Sequence, residues 1–302
     1  MNANSFLSSS IAVITMSAIT YALSRRAVPF LRSTRNYSSS LMLLAPSGAD
    51  IMASFGTKPL VGKAVADAMA ALVNADAVCF DVDSTVIQEE GIDVLAEYLG
   101  QGEAVAALTR QAMEGGMKFQ DALRQRLELL KPSKGQILEC LEKNPLQLTP
   151  GIEDLIETLL EVGKDVYLVS GGFRIMIEPV AFAVCVSKKN IYANTILFDA
   201  SGNYLGFDEE EPTSRDMGKP SALAMIEEKY GYKCMVMVGD GATDAQAKPP
   251  AKAFIGFGGV IVREPVKEKS CWFVEDFGDM QKVLKEFATR KRSSGGDEDD
   301  SP

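Results

Sequence analysis

Two aspartates, Asp81 and Asp83, stand one residue apart in "AVCFDVDSTVIQEEG", directly behind the short apolar run Ala77–Phe80. In extended backbone, residues i and i+2 point the same way, so the two carboxyl groups would stand side by side. One carboxylate at a strand end can attack phosphorus and form an aspartyl phosphate, which divides a hard displacement into two easier ones. Its neighbour can protonate the departing alkoxide and later take a proton from water. Two carboxylates facing a phosphate dianion repel. At about 4 Å and an effective dielectric near 20, each pair of unit charges costs on the order of 4 kcal/mol. A cation is therefore needed, and Asp240 and Asp244 in "GDGATD" carry hard oxygen ligands of the kind Mg²⁺ takes.

Three further parts belong to the same chemistry. Ser170 supplies a hydroxyl, and the N–H groups of Gly171 and Gly172, expected at the start of a helix, offer an anion cradle. Lys219 precedes Pro220, a residue favoured in the first turn of a helix, so its ammonium is expected at a helix entrance. Alone, each motif has an ordinary reading: "DVD" as a turn or cap, "SGG" as a loop, "GDG" as a tight turn. All four in order, three of them directly behind apolar runs, favour a site.

The elements that must position these groups are visible as four short apolar runs, at 77–80, 166–169, 235–238 and 253–255. Apolar runs without alternation imply strands covered on both faces, as in a parallel sheet between helices. The spacing predicts an α/β fold with a doubly wound, mostly parallel, Rossmann-like sheet, whose polar strand tips converge at the carboxyl edge. Amphipathic stretches such as 152–160 and 222–229 supply helices. Residues 92–148 carry helical periodicity without strand signal and are too long for a crossover loop, so they are expected to form a small inserted helical cap. The core is then 75–91 together with 149–285. Two β-rich runs around Ser201-Gly202-Asn203 predict a hairpin. "GFGG" at 256–259 lacks nucleotide-binding spacing and reads as a glycine loop near the sheet edge, and the acidic run 208–211 reads as solvated surface.

Residues 1–60 read as a targeting segment. The first 49 hold four arginines, many serines and no acid, the composition of a transit peptide, with plastid placed ahead of mitochondrion. The apolar stretch 6–23 is broken by serine and threonine, so no membrane span is expected in the mature protein. Residues 286–302 read as a disordered charged tail. Beyond residue 49 the chain carries 27 basic against 41 acidic residues, a net of −14, a poor surface for nucleic acid. Five scattered cysteines suggest neither a disulfide framework nor zinc. The 302 residues include no histidine, which removes the Ser-His-Asp triad and leaves acid–base work to carboxylates, lysine, tyrosine or cysteine.

"FDVDST", "SGGFR", Gly218-Lys219 and "GDGATD" resemble the four signatures of the haloacid-dehalogenase-like phosphatases. Within that family the resemblance, running from about residue 75 to 278, is to the branch that hydrolyses O-phospho-L-serine in the last step of serine biosynthesis. It implies Asp81 as nucleophile and Asp83 as general acid and base. Mg²⁺ would be held by the Asp81 carboxylate, the Asp83 carbonyl and Asp240, with Asp244 supporting its water shell. Ser170, Gly171, Gly172 and Lys219 would bind phosphate. From the cap, Glu90 would meet the substrate ammonium and Arg126 its carboxylate; Met113 and Glu114 would line the closing surface, and Thr243 would lie close by. Glu114 departs from the glycine of some relatives, so only its N–H could serve there. The small-molecule substrate is the expected partner, with a second copy of the chain as a candidate. Two alternatives stay open: a phosphotransferase delivering to a hydroxyl such as that of homoserine, and a receiver-like module that signals through a phosphorylated aspartate. Receivers do not need an acid at the position of Asp83.

Overall fold

The computed structural model describes residues 62–112 and 117–293. The expected targeting segment 1–60, Met113, Glu114 and the end of the charged tail lie outside the described residues. In chain order the strands are β1 (Ala77–Phe80), β2 (Asp165–Phe173), β3 (Ile191–Asn194), β4 (Ile196–Phe198), β5 (Tyr204–Phe207), β6 (Met235–Gly239), β7 (Ala253–Phe257) and β8 (Trp272–Val274). Six of them form one parallel sheet in the order β3-β2-β1-β6-β7-β8, and β4 pairs with β5 in a separate antiparallel ribbon.

Side-chain alternation explains the unbroken apolar runs. Val78, Phe80, Leu168, Val236 and Val238 face one side, where they meet helices α1 (Lys63–Asn74) and α6 (Ile152–Glu161) and the long C-terminal helix Phe277–Ser293. Ala77, Cys79, Tyr167, Met235 and Met237 face the other and pack on Ala222, Leu223 and Ile226 of α8 (Gly218–Tyr230). Both faces are dry, so both phases of each strand must be apolar.

Several elements differ from expectation. Helix α1 precedes the first strand, and Ala68 and Leu72 seat it on the sheet. The core therefore begins before residue 75; an alanine-rich helix carries no strand pattern, but its apolar spacing is a legible signal. The first β-rich run of the expected hairpin is divided. Residues 191–194 add to the main sheet as β3, and only 196–198 turn back against β5. The C-terminal helix runs to Ser293 because Phe277, Met280, Val283 and Leu284 anchor its apolar stripe, so the expected tail cannot start at 286.

Between β1 and β2, residues 91–143 form α2 (Gly91–Tyr98), α3 (Gly102–Gln111), α4 (Phe119–Leu130) and α5 (Lys134–Lys143). Leu95, Val105, Leu123, Leu127 and Ile137 make a small core that also takes in Phe173 and Met176 of the α/β part and Ile196 and Phe207 of the ribbon. An antiparallel bridge between Ile87 and Leu148 closes the base of this excursion. Among the described residues no helix is long and apolar enough to cross a membrane.

Candidate active site

The sheet order reverses direction between β1 and β6: the chain builds outward through β2 and β3 on one side, then through β7 and β8 on the other. A crevice opens at such a point, beyond the carboxyl ends of the strands. Asp81 follows β1, its N–H bonded to the Val238 carbonyl of β6, and Asp240 follows β6. Two residues far apart in the chain are thereby set beside each other.

The backbone after Asp81 coils tightly through Val82–Val86, with Ser84 in the left-handed region at φ 52°. This coil keeps Asp83 on the same side as Asp81. Asp81 accepts from its neighbour's N–H (Val82, 2.7 Å) and from Lys219 Nζ (2.8 Å). Lys219 also donates to Asp244 Oδ1 at 2.5 Å, so a buried ammonium lies between two buried carboxylates. Burial acts to lower the Lys219 pKa, but Asp244 and Asp81 together outweigh it and hold the ammonium above the ordinary lysine value. Burial, then the charge of Asp81, pushes Asp244 upward against the pull of Lys219. We take Lys219 as charged, because both carboxylates contact it directly.

Asp83 accepts from the Gly91 N–H (2.7 Å) and from Ser170 Oγ (3.3 Å). Burial first, and the Asp81 charge second, push its carboxyl up to about 6 despite these bonds. A carboxyl poised there can both give and take a proton near neutrality. Asp240 accepts from Thr85 Oγ1 (3.3 Å) and Arg263 Nε (2.9 Å), and burial followed by Asp81 raises it. Carboxylate oxygens of Asp81, Asp240 and Asp244 all lie within 4.8 Å of one another. Three hard, buried oxygen donors so close together suit a divalent cation.

The "SGG" segment departs from expectation. Strand β2 continues to Phe173, and the next helix, α7 (Arg174–Ala183), starts only after it, so Gly171 and Gly172 are not at a helix start. The Gly172 N–H is turned onto Ser170 Oγ at 2.8 Å. Glycine is required at 172 for space, since a Cβ there would lie 2.8 Å from Asp83 Oδ2.

A cleft of about 490 Å³ opens over these groups. Asp81, Asp83, Gly171, Gly172, Lys219, Asp240 and Thr243 line it, together with Glu90 at the entrance to the helical excursion and Arg126 within it. Ser170 and Asp244 are fully buried beneath its floor. Ser84 Oγ donates to Glu90 Oε1 at 2.8 Å, yet burial first and then the charge of Asp83 raise Glu90 to about 7. Burial lowers Arg126, countered by Asp93, Glu90 and Asp83. Met113 and Glu114 cannot be placed, being outside the described residues.

Sequence reasoning missed Arg263, which pairs with Asp240 and reaches to 3.6 Å from Glu90, and Phe119, Thr213 and Asp216, which also line the cleft. None stands at the tip of a strand. Arg263 follows the short apolar run Val260-Ile261-Val262 and precedes "EP", a helix-start sequence, and that was its only local signal.

Residues 75–248 match the profile of the haloacid dehalogenase-like hydrolases. The chain is 49% identical over 213 residues to the phosphoserine phosphatase of Bos taurus, covering 70% of this chain and 95% of that one. It is 50% identical over 206 residues to the chloroplastic phosphoserine phosphatase of Arabidopsis thaliana, covering 68% and 70%. A solved structure described as a phospho-aspartyl intermediate analogue of phosphoserine phosphatase is similar at 30% identity and a TM-score of 0.59, over 70% of this chain and 98% of that one.

Proposed function

This chain belongs to the haloacid dehalogenase-like hydrolases, on the branch of the phosphoserine phosphatases, and from that premise we propose that it hydrolyses O-phospho-L-serine through a phosphorylated Asp81. The observation that carries the reading is the shared cleft: Asp81 and Lys219 line it together with a carboxylate and a guanidinium, Glu90 and Arg126. A zwitterionic amino acid bearing a phosphate needs these complements: an anion for its ammonium, a planar fork for its carboxylate, and fixed cations for its phosphate.

In the first step an Asp81 oxygen forms a bond to phosphorus while the bond from phosphorus to the serine oxygen breaks, and Asp83 passes its proton to that oxygen. In the second, Asp83 takes a proton from water as the water oxygen attacks phosphorus, releasing inorganic phosphate and restoring Asp81. Lys219 and the backbone of Gly171 hold the phosphoryl oxygens, and Ser170 orients Asp83. Mg²⁺ would be held by Asp81, Asp240 and the Asp83 carbonyl, with Asp244 behind. When bound, it supplies the positive charge that the crowded carboxylates and phosphate require. Thr243, Met113 and Glu114 are assigned to the substrate side.

Phosphate release from a panel of phosphorylated amino acids and sugars, with and without Mg²⁺, tests the reading. Phosphoserine should be preferred, and Asp81→Asn should abolish turnover. A sugar phosphate as best substrate would defeat the roles of Glu90 and Arg126. The same reading places the enzyme at the last step of serine biosynthesis in a plastid. The arginine- and serine-rich composition of residues 1–49 and the similar chloroplastic protein of Arabidopsis support that location, and import of the full chain into isolated chloroplasts checks it. A homodimer remains a proposal for light scattering to decide.

A further inference from the structure

Helix α4 carries Phe119, Leu123 and Arg126 on the cleft, but its own N-cap residue, Lys118, makes no side-chain cap and cannot accept one. The first N–H groups of a helix need acceptors. Here the acceptor comes from elsewhere in the chain: Asp216 Oδ1 takes the Phe119 N–H at 3.0 Å, and the Asp216 N–H donates back to Gln120 Oε1 at 3.4 Å. The exchange has the logic of a capping box, in which side chain and backbone satisfy each other reciprocally, but its two halves come from different segments. The negative carboxylate also suits the positive end of the helix dipole.

Asp216 is three residues ahead of Lys219, in a segment with little freedom. Met217 is left-handed at φ 56°, and a Cβ on Gly218 would lie 2.7 Å from the Pro212 carbonyl. Thr213 Oγ1 donates to Asn194 Oδ1 (3.0 Å), and Asn194 donates to the Gly171 carbonyl (2.7 Å), tying the segment to the floor of the site. A further polar tie between α4 and this part of the chain, the exposed ion pair of Arg124 with Glu209 at 2.7 Å, does not reach a backbone N–H; the Asp216 bonds, also exposed, do.

We infer that Asp216 is a positioning residue: by capping α4 across the cleft it sets the separation between Arg126 and Lys219, and so the length of doubly anionic substrate the cleft accepts. The inference rests on the reading that Arg126 and Lys219 hold opposite ends of phosphoserine. Asp216 itself touches no reacting atom, so its loss should appear only where both ends are in use.

The test compares the full chain with Asp216→Ala and Asp216→Asn, on phosphoserine and on p-nitrophenyl phosphate, which has no carboxylate for Arg126. Loss of an N-cap typically weakens a helix enough for about a fivefold effect, whereas asparagine caps as well as aspartate. Asp216→Ala should raise KM for phosphoserine by about fivefold and leave p-nitrophenyl phosphate unchanged, with Asp216→Asn restoring the parental values. Equal losses on both substrates, no loss at all, or an asparagine variant as impaired as alanine would overturn it. Amide exchange of the unliganded protein probes the cap independently of substrate: residues 119–122 should exchange several-fold faster in Asp216→Ala than in the parent, and equal rates sink the cap. If the parent does not hydrolyse phosphoserine, the substrate reading fails, and amide exchange still decides the cap.

Discussion

Asp83 and Glu90 are both carboxyl groups held above their ordinary range by burial, but opposite demands fall on them. In the proposed reaction Asp83 moves a proton, so Asp83→Asn should lower kcat on phosphoserine by about 10²- to 10⁴-fold. Nitrophenolate leaves without needing that proton, so with p-nitrophenyl phosphate the variant should give one burst of product and then stall as phosphorylated enzyme. A steady state without a burst would remove Asp83 from the second step. In the same proposal Glu90 must instead keep its charge to hold an ammonium. Its carboxyl, raised to about 7, is protonated and neutral below that pH, so kcat/KM for phosphoserine should fall as pH drops through about 7. The limb should be missing in Glu90→Gln and with p-nitrophenyl phosphate; its persistence in Glu90→Gln would assign it to another group.

At the scale of elements, the carboxyl end of β2 decides more than its sequence suggests. The strand stays extended through Ser170, Gly171 and Gly172, which brings the Gly172 backbone under the Asp83 carboxyl and lets Ser170 bond both. A methyl group at 172 would lie 2.8 Å from Asp83 Oδ2 and 3.1 Å from Ser170 Oγ, so Gly172→Ala must displace Asp83, the proposed acid–base group. A displacement of this size commonly costs on the order of 10²-fold in rate. The expected result is a matching fall in kcat with the unfolding midpoint nearly unchanged, because the clash falls on the site and not on the strand ladder. Full activity in Gly172→Ala would mean that Asp83 has room to move. The four apolar runs could be read as strands because both faces of the sheet are dry. β3 could not be separated from the ribbon that follows it, since Ile191–Asn194 and Ile196–Phe198 are equally β-prone and only their pairing partners distinguish them.

Across the whole molecule, four carboxylates converge where the sheet order reverses, with Lys219 and Arg263 as the cations in direct contact with them. Such a concentration of negative charge should make stability depend on a divalent ion. At a hundredfold excess over its Kd, Mg²⁺ would stabilise the fold by about 2.7 kcal/mol, a rise of about 5–10 °C in Tm for a chain of this size. Differential scanning calorimetry of the chelated protein, titrated with Mg²⁺, should show that rise, and Asp240→Asn should blunt it. A midpoint indifferent to Mg²⁺ would mean that Asp81, Asp240 and the Asp83 carbonyl do not form the metal centre.

The sequence by itself determined that Asp81 and Asp83 stand together behind β1, that Asp240 stands at the tip of β6, and that the excursion between β1 and β2 is helical. These rest on local relations: which side a residue points to, which residue ends an apolar run, how apolar spacing repeats. Only the tertiary structure decided that Thr85 meets Asp240 across 155 residues of chain, that Arg263 reaches the same carboxylate, and that Asp216 caps a helix to which its sequence gives no link. Those contacts arise from strand order and loop placement, and chain spacing carries no information about distance once the segments between have folded back on themselves.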